Sequence, residues 1–127
     1  RPTRLAALAI GYGQGYPRAL TAGGYVQIRG RRAPIAGRVS MDHLTVDVTD
    51  LPEVAEGDEA LLWGRPGALD GGRGIDVMEL AERAGTIGYE LLTRVGGRIR
   101  REAENASACA GGSRCMPIEQ TRASRAR

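Results

Sequence analysis

Ile35-Ala36-Gly37-Arg38-Val39-Ser40-Met41-Asp42-His43-Leu44-Thr45-Val46-Asp47-Val48 is the stretch that decides how this chain reads. Both ends carry strand signals. Ile35–Val39 is rich in apolar residues, and Leu44, Val46 and Val48 alternate with polar ones, which places them on one face of a pleated strand. Between them, Gly37–His43 gathers an arginine, a hydroxyl, a carboxylate and the only histidine of the chain. A strand pattern interrupted by that much chemistry describes a β framework that presents a functional segment.

Similar strand signals recur on either side. Leu5–Ile10 is a continuous apolar run that reads as a buried strand. Tyr25–Arg29 alternates with period two, and Gly30 with Arg31 and Arg32 reads as a turn. Asp50-Leu51-Pro52 and Gly57-Asp58 are further turn signals, and Glu59–Trp63 reads as another strand before the glycine-rich loop Gly64–Gly74. Short strands at this spacing predict a mainly β fold, a compact barrel- or sandwich-like domain. One short helix is expected over about residues 75–84, where Val77, Leu80, Ala81 and Ala84 share a helical face and Gly85 supplies the stop. Gly88–Val95 and Arg98–Ile99 close the ordered part. The expected organisation is therefore one domain over residues 1–101, followed by an unstructured tail over 102–127.

Composition narrows the chemistry. The chain has 127 residues, enough for one domain with a real core. Phe is absent and Trp63 is the only tryptophan, so Val, Ile, Leu and Ala must fill that core, with tyrosines at its edges. All 18 basic residues are arginine, so no lysine amine is present to form a Schiff base. Residues 1–97 hold 11 arginines against 12 acids, and residues 98–127 hold 7 against 3. A nucleic-acid module carries its positive charge on the folded face, so a near-neutral body with a basic end argues against one.

Cys109 and Cys115 stand in the tail at a spacing that suits neither a zinc hook nor a CxxC redox pair, and no metal site is expected. No apolar run approaches the roughly 18 residues of a membrane span. Leu5–Ile10 is too short for the core of a signal peptide. The expectation is a cytoplasmic protein without a membrane partner. The chain begins with Arg1, which suggests a piece of something longer.

Two clusters bracket Gly37–His43. Gly11-Tyr12-Gly13-Gln14-Gly15-Tyr16-Pro17-Arg18 is not a dinucleotide fingerprint, because its spacing is G-x-G-x-G and Pro17 stands where a helix would begin. It reads either as a loop shaped by glycine or as a wall for an anionic small molecule, with Arg18 as the charge. Gly85-Thr86-Ile87-Gly88-Tyr89-Glu90 offers a phenol that either packs at an interface or donates to an anion. In the central cluster Met41 alone is ordinary packing, and a lone His43 without an acid partner is more often structural. A backbone amide in that segment is the third option, able to bind a carboxylate that side-chain reading would overlook.

In this order, Gly11–Arg18, Gly37–Asp42, Gly85–Glu90 and Arg98–Arg101 resemble the C-terminal β-domain of bacterial alanine racemases, and Val46–Thr49 and Gly57–Glu59 agree. The resemblance covers about residues 5–101. It implies a homodimer in which a TIM-barrel domain, absent here, holds pyridoxal phosphate and faces the β-domain of the other subunit. It implies that the main-chain N–H of Met41 binds the substrate carboxylate, with Ser40 and Asp42 beside it. Tyr89 would contact the cofactor phosphate and narrow the entrance, and Tyr12, Arg18 and Arg38 would line the substrate corridor. The family's catalytic lysine lies in the barrel, and its catalytic tyrosine falls before residue 1. No catalytic residue is therefore expected on this chain, and the isolated chain is expected to be inactive.

Gln14 departs from the family's usual aspartate, and any charge pair that aspartate makes with an arginine is lost. The resemblance implies L- and D-alanine as substrates, in the supply of cell-wall precursors. A same-fold racemase for serine and a small β-barrel module for nucleic acid are the competing expectations, and a non-functional remnant would keep the same motifs.

Overall fold

The computed structural model describes residues 2–64 and 73–100, together with the backbone of Arg122–Ala123. Two small antiparallel sheets form the framework. In the first, β1 (Leu5–Leu8) pairs with β4 (Leu44–Asp47), with Ala6 opposite Val46 and Leu8 opposite Leu44. In the second, β2 (Tyr25–Ile28) lies between β3 (Arg31–Pro34) and β5 (Ala60–Leu61), and Arg122–Ala123 adds a two-residue β6 beside β5. The rest of the tail expected to be unstructured lies outside the described residues. So do most of the glycine-rich loop and both cysteines.

The sheets meet at Ile35, whose N–H donates to Gly24 in one direction while a bridge to Val46 reaches the other sheet. The mainly β architecture is therefore as expected, and among the described residues the sheets do not close into a barrel. Tyr16, Leu20, Val26, Leu44, Val46 and Leu62 are fully buried in one core cluster. Tyr16 stacks on Trp63 with ring centroids 6.0 Å apart.

Several boundaries differ from the sequence expectation. Arg31 and Arg32 belong to β3 and not to a turn, because Arg29 (φ 49°) and Gly30 (φ 75°) alone make a two-residue hairpin. Positive φ at both central positions matches the twist of the flanking strands. The strand expected over Ile35–Val39 therefore begins and ends earlier, and only Ile35 keeps a bridge. The apolar run Leu5–Ile10 is buried on one face only, with Ala6 and Leu8 inward and Leu5 outward. The strand expected over Glu59–Trp63 shortens to two residues.

Helix α1 (Val77–Ala84) opens where the Asp76 carboxylate accepts the Met78 N–H at 2.9 Å and closes on Gly85 in the left-handed region. Burying Leu80 is worth about 2 kcal/mol, more than exposed ion pairs such as Glu79–Arg83 supply at about 0–1 kcal/mol. Packing thus holds the helix, and Leu80 and Ala81 set its orientation. A second helix, α2 (Gly88–Thr93), was not anticipated and buries Gly88 and Leu91.

Candidate functional site

The site is built on a 3₁₀ turn, Tyr12–Gln14, whose first N–H groups have no partner within so short a helix. The central segment supplies the partners. Tyr12 N–H donates to the Ser40 carbonyl at 3.0 Å, and Gly13 N–H donates to the Met41 carbonyl at 2.7 Å. The approach is so close that a Cβ on Gly11 would stand 2.1 Å from the Ser40 oxygen. This explains the glycine richness of the first cluster as close packing of backbone on backbone.

The consequence follows from peptide geometry. In a trans peptide the C=O and the next N–H point in opposite directions. With the Ser40 and Met41 carbonyls drawn onto the turn, the N–H groups of Met41 and Asp42 point away from it. Neither N–H meets an acceptor among the described residues. Two consecutive outward N–H groups, with Met41 45% exposed, form a surface able to accept a carboxylate.

The other candidates are carried on elements tied to this core. Arg18 opens the turn Arg18–Thr21, and the Thr21 hydroxyl accepts the Val39 N–H at 3.0 Å, joining that turn to the segment that carries Arg38. Both arginines are exposed. Gly15 backs onto the chain leaving α2, where a Cβ would lie 2.4 Å from the Arg94 carbonyl oxygen. Tyr89 therefore sits on a helix joined to the first cluster and not on a loop after one, with 76% of its surface exposed. Its hydroxyl makes no hydrogen bond among the described residues.

Ser40 is half-buried and donates its N–H to the His43 carbonyl at 3.0 Å. His43 thus contributes through its backbone, and its side chain is exposed. Sequence reasoning missed a bridge at Asp42. The Gln14 side chain accepts from Gly11 N–H at 2.9 Å and donates to Asp42 Oδ1 at 3.2 Å, and Arg98 Nη1 reaches the same oxygen at 3.4 Å. Gln14 had stood out only as a departure from a motif.

Away from the site, charge is largely paired. Arg29, Arg31, Arg32, Arg83 and Arg94 all face carboxylates. The Arg29 guanidinium, more than the Ala55 N–H, holds Asp58 below its ordinary carboxylate range. Burial, reinforced by Glu79, pushes the Tyr25 phenol up to about 12, while Arg32 lies 4.2 Å over its ring. Among the described residues no helix is long and apolar enough to cross a membrane.

The described residues thus form a mainly β framework that presents two outward backbone N–H groups, in a chain without lysine. The profile of the family described as alanine racemase, C-terminal domain, matches residues 1–103. The chain belongs to that family. It is 50% identical over 101 residues to the alanine racemase of Stutzerimonas stutzeri, covering 80% of this chain and 26% of that one.

The crystal structure of the biosynthetic alanine racemase from Pseudomonas aeruginosa is similar at 49% identity and a TM-score of 0.66, over 77% of this chain and 25% of that chain. The alanine racemase from Bartonella henselae with covalently bound pyridoxal phosphate is similar at 36% identity and a TM-score of 0.67, over 77% and 25%. This chain thus spans about a quarter of the length of these relatives.

Proposed function

We propose that this chain is the C-terminal part of an alanine racemase that interconverts L- and D-alanine with pyridoxal phosphate in the cytoplasm. The observation that carries the reading is the Ser40–Met41 peptide, its carbonyl bound to Tyr12 and its N–H turned outward without an acceptor among the described residues. That N–H donates to the substrate carboxylate, a charge-assisted bond stronger than a neutral one. Ser40 and Asp42 shape the ground beside it.

Tyr89 suits a phosphate because its hydroxyl is exposed and uncommitted among the described residues. It donates to a phosphate oxygen of the cofactor and narrows the entrance. Arg18 and Arg38 attract the incoming carboxylate, and Tyr12 walls the corridor. The cofactor, once bound, supplies a ring that delocalises the charge left when the α-proton is removed. This chain has no lysine, so the covalent hold on the cofactor belongs to a barrel domain outside it. The proton-transferring lysine and tyrosine of the family also lie outside it.

The family's homodimer would cover Met78, Ile87, Tyr89 and Leu92 with its barrels, since each of these large side chains is exposed here. A direct test is to give the isolated chain pyridoxal phosphate and L-alanine. D-alanine is expected at no more than the free-cofactor rate, and faster turnover would overturn the assignment of the reactive groups to other parts of the enzyme.

A further inference from the structure

We propose that Gln14 is a positioning residue: acting through Asp42, it locks the Met41 peptide against the 3₁₀ turn. The proposal rests on the carboxylate-binding reading for its meaning, but its geometry stands on its own. Residues 12, 13 and 14 meet residues 40, 41 and 42 in register. The first two contacts are backbone bonds, Tyr12 to Ser40 and Gly13 to Met41. The third is made by a side chain, Gln14 Nε2 to Asp42 Oδ1 at 3.2 Å.

Gln14 suits this place because its amide carries an acceptor and a donor on one rigid group. The acceptor holds the Gly11 N–H at the base of the turn, and the donor holds the carboxylate at the end of the outward peptide pair. Arg98 approaches the same carboxylate over Gly13, where a Cβ would lie 3.5 Å from its Nη1. Asp42 is thereby tied to two segments distant in sequence. A carboxylate at position 14 would keep the bond from Gly11 but lose the donor to Asp42, and would set two negative groups together beside a site for a third.

The test uses amide hydrogen exchange of Tyr12 and Gly13 in the full 127-residue chain, with Val26 and Leu44 as core references. Gln14→Glu is expected to exchange about tenfold faster or more at Tyr12 and Gly13 with the references unchanged, as loss of one hydrogen bond to a charged group implies. Gln14→Met, which removes both bonds without adding charge, shifts the same two amides and guards against misfolding of the glutamate variant. The double variant Gln14→Glu/Asp42→Asn reverses donor and acceptor and restores slow exchange. Wild-type exchange in both single variants, or no recovery in the double variant, would overturn the proposal. No carboxylate ligand enters this measurement, so its outcome is separate from that of the Met41 N–H as a carboxylate donor.

Discussion

A Cβ on Gly11 would lie 2.1 Å from the Ser40 oxygen and 2.6 Å from that of Met41, and both are backbone atoms that cannot swing aside. Gly11→Ala is therefore expected to cost about 1–3 kcal/mol, the range for overpacking a tight contact. Gly37 offers the contrast, because it has φ 81° but nothing within 4 Å of a built Cβ. Gly37→Ala should cost only about 1 kcal/mol of backbone strain. Urea denaturation of the two variants separates the causes. At Met41 the decisive atom is the amide hydrogen. In a hybrid carrying residues 1–100 on the barrel of the Pseudomonas aeruginosa enzyme, Met41→Pro removes that donor and Met41→Leu keeps it. The KM for alanine should rise about tenfold or more in the proline variant, as loss of a charged hydrogen bond implies. Equal KM values in the two variants would contradict the role given to the N–H.

Among the elements, α1 shows what local sequence can specify. The helical spacing of Val77, Leu80, Ala81 and Ala84 and the stop at Gly85 specify it without tertiary information, and Asp76 caps its start. Asp76→Ala should lower stability by about 1 kcal/mol, measured as a shift in the thermal midpoint. Helix α2 was hidden because it has six residues, starts at a glycine and has no side-chain cap. Strand β3 was hidden because Arg31 and Arg32 resemble turn residues, whereas the turn needs only Arg29 and Gly30. The site was partly legible for the same reason. The three clusters stood out by composition, and the resemblance singled out Met41. The bridge from Gln14 and Arg98 to Asp42 spans 28 and 56 residues of chain, and no periodicity reports a contact of that range.

For the molecule as a whole, Asp58 and Glu79 are carboxylates held below their ordinary values, the first by Arg29 and the second by the neighbouring Tyr25 hydroxyl ahead of Arg32 and Arg83. Their contribution to stability is present above their ordinary pKa values of 3.8 and 4.5 and is lost as pH falls below them. Tyr25 works in the other direction. Raised from 10.0 to about 12, it withdraws stability as pH climbs through that window. Denaturation midpoints measured across pH should fall at both ends, and Tyr25→Phe should flatten the alkaline limb. Between those limits the domain is a scaffold that turns two backbone N–H groups and an exposed phenol outward, as the proposed contacts to carboxylate and phosphate require. The most direct test of that account is alanine racemisation by the hybrid enzyme. The account predicts that the hybrid, loaded with pyridoxal phosphate, interconverts L- and D-alanine while the 127-residue chain alone does not. A hybrid that folds and holds the cofactor yet fails to racemise alanine would contradict it.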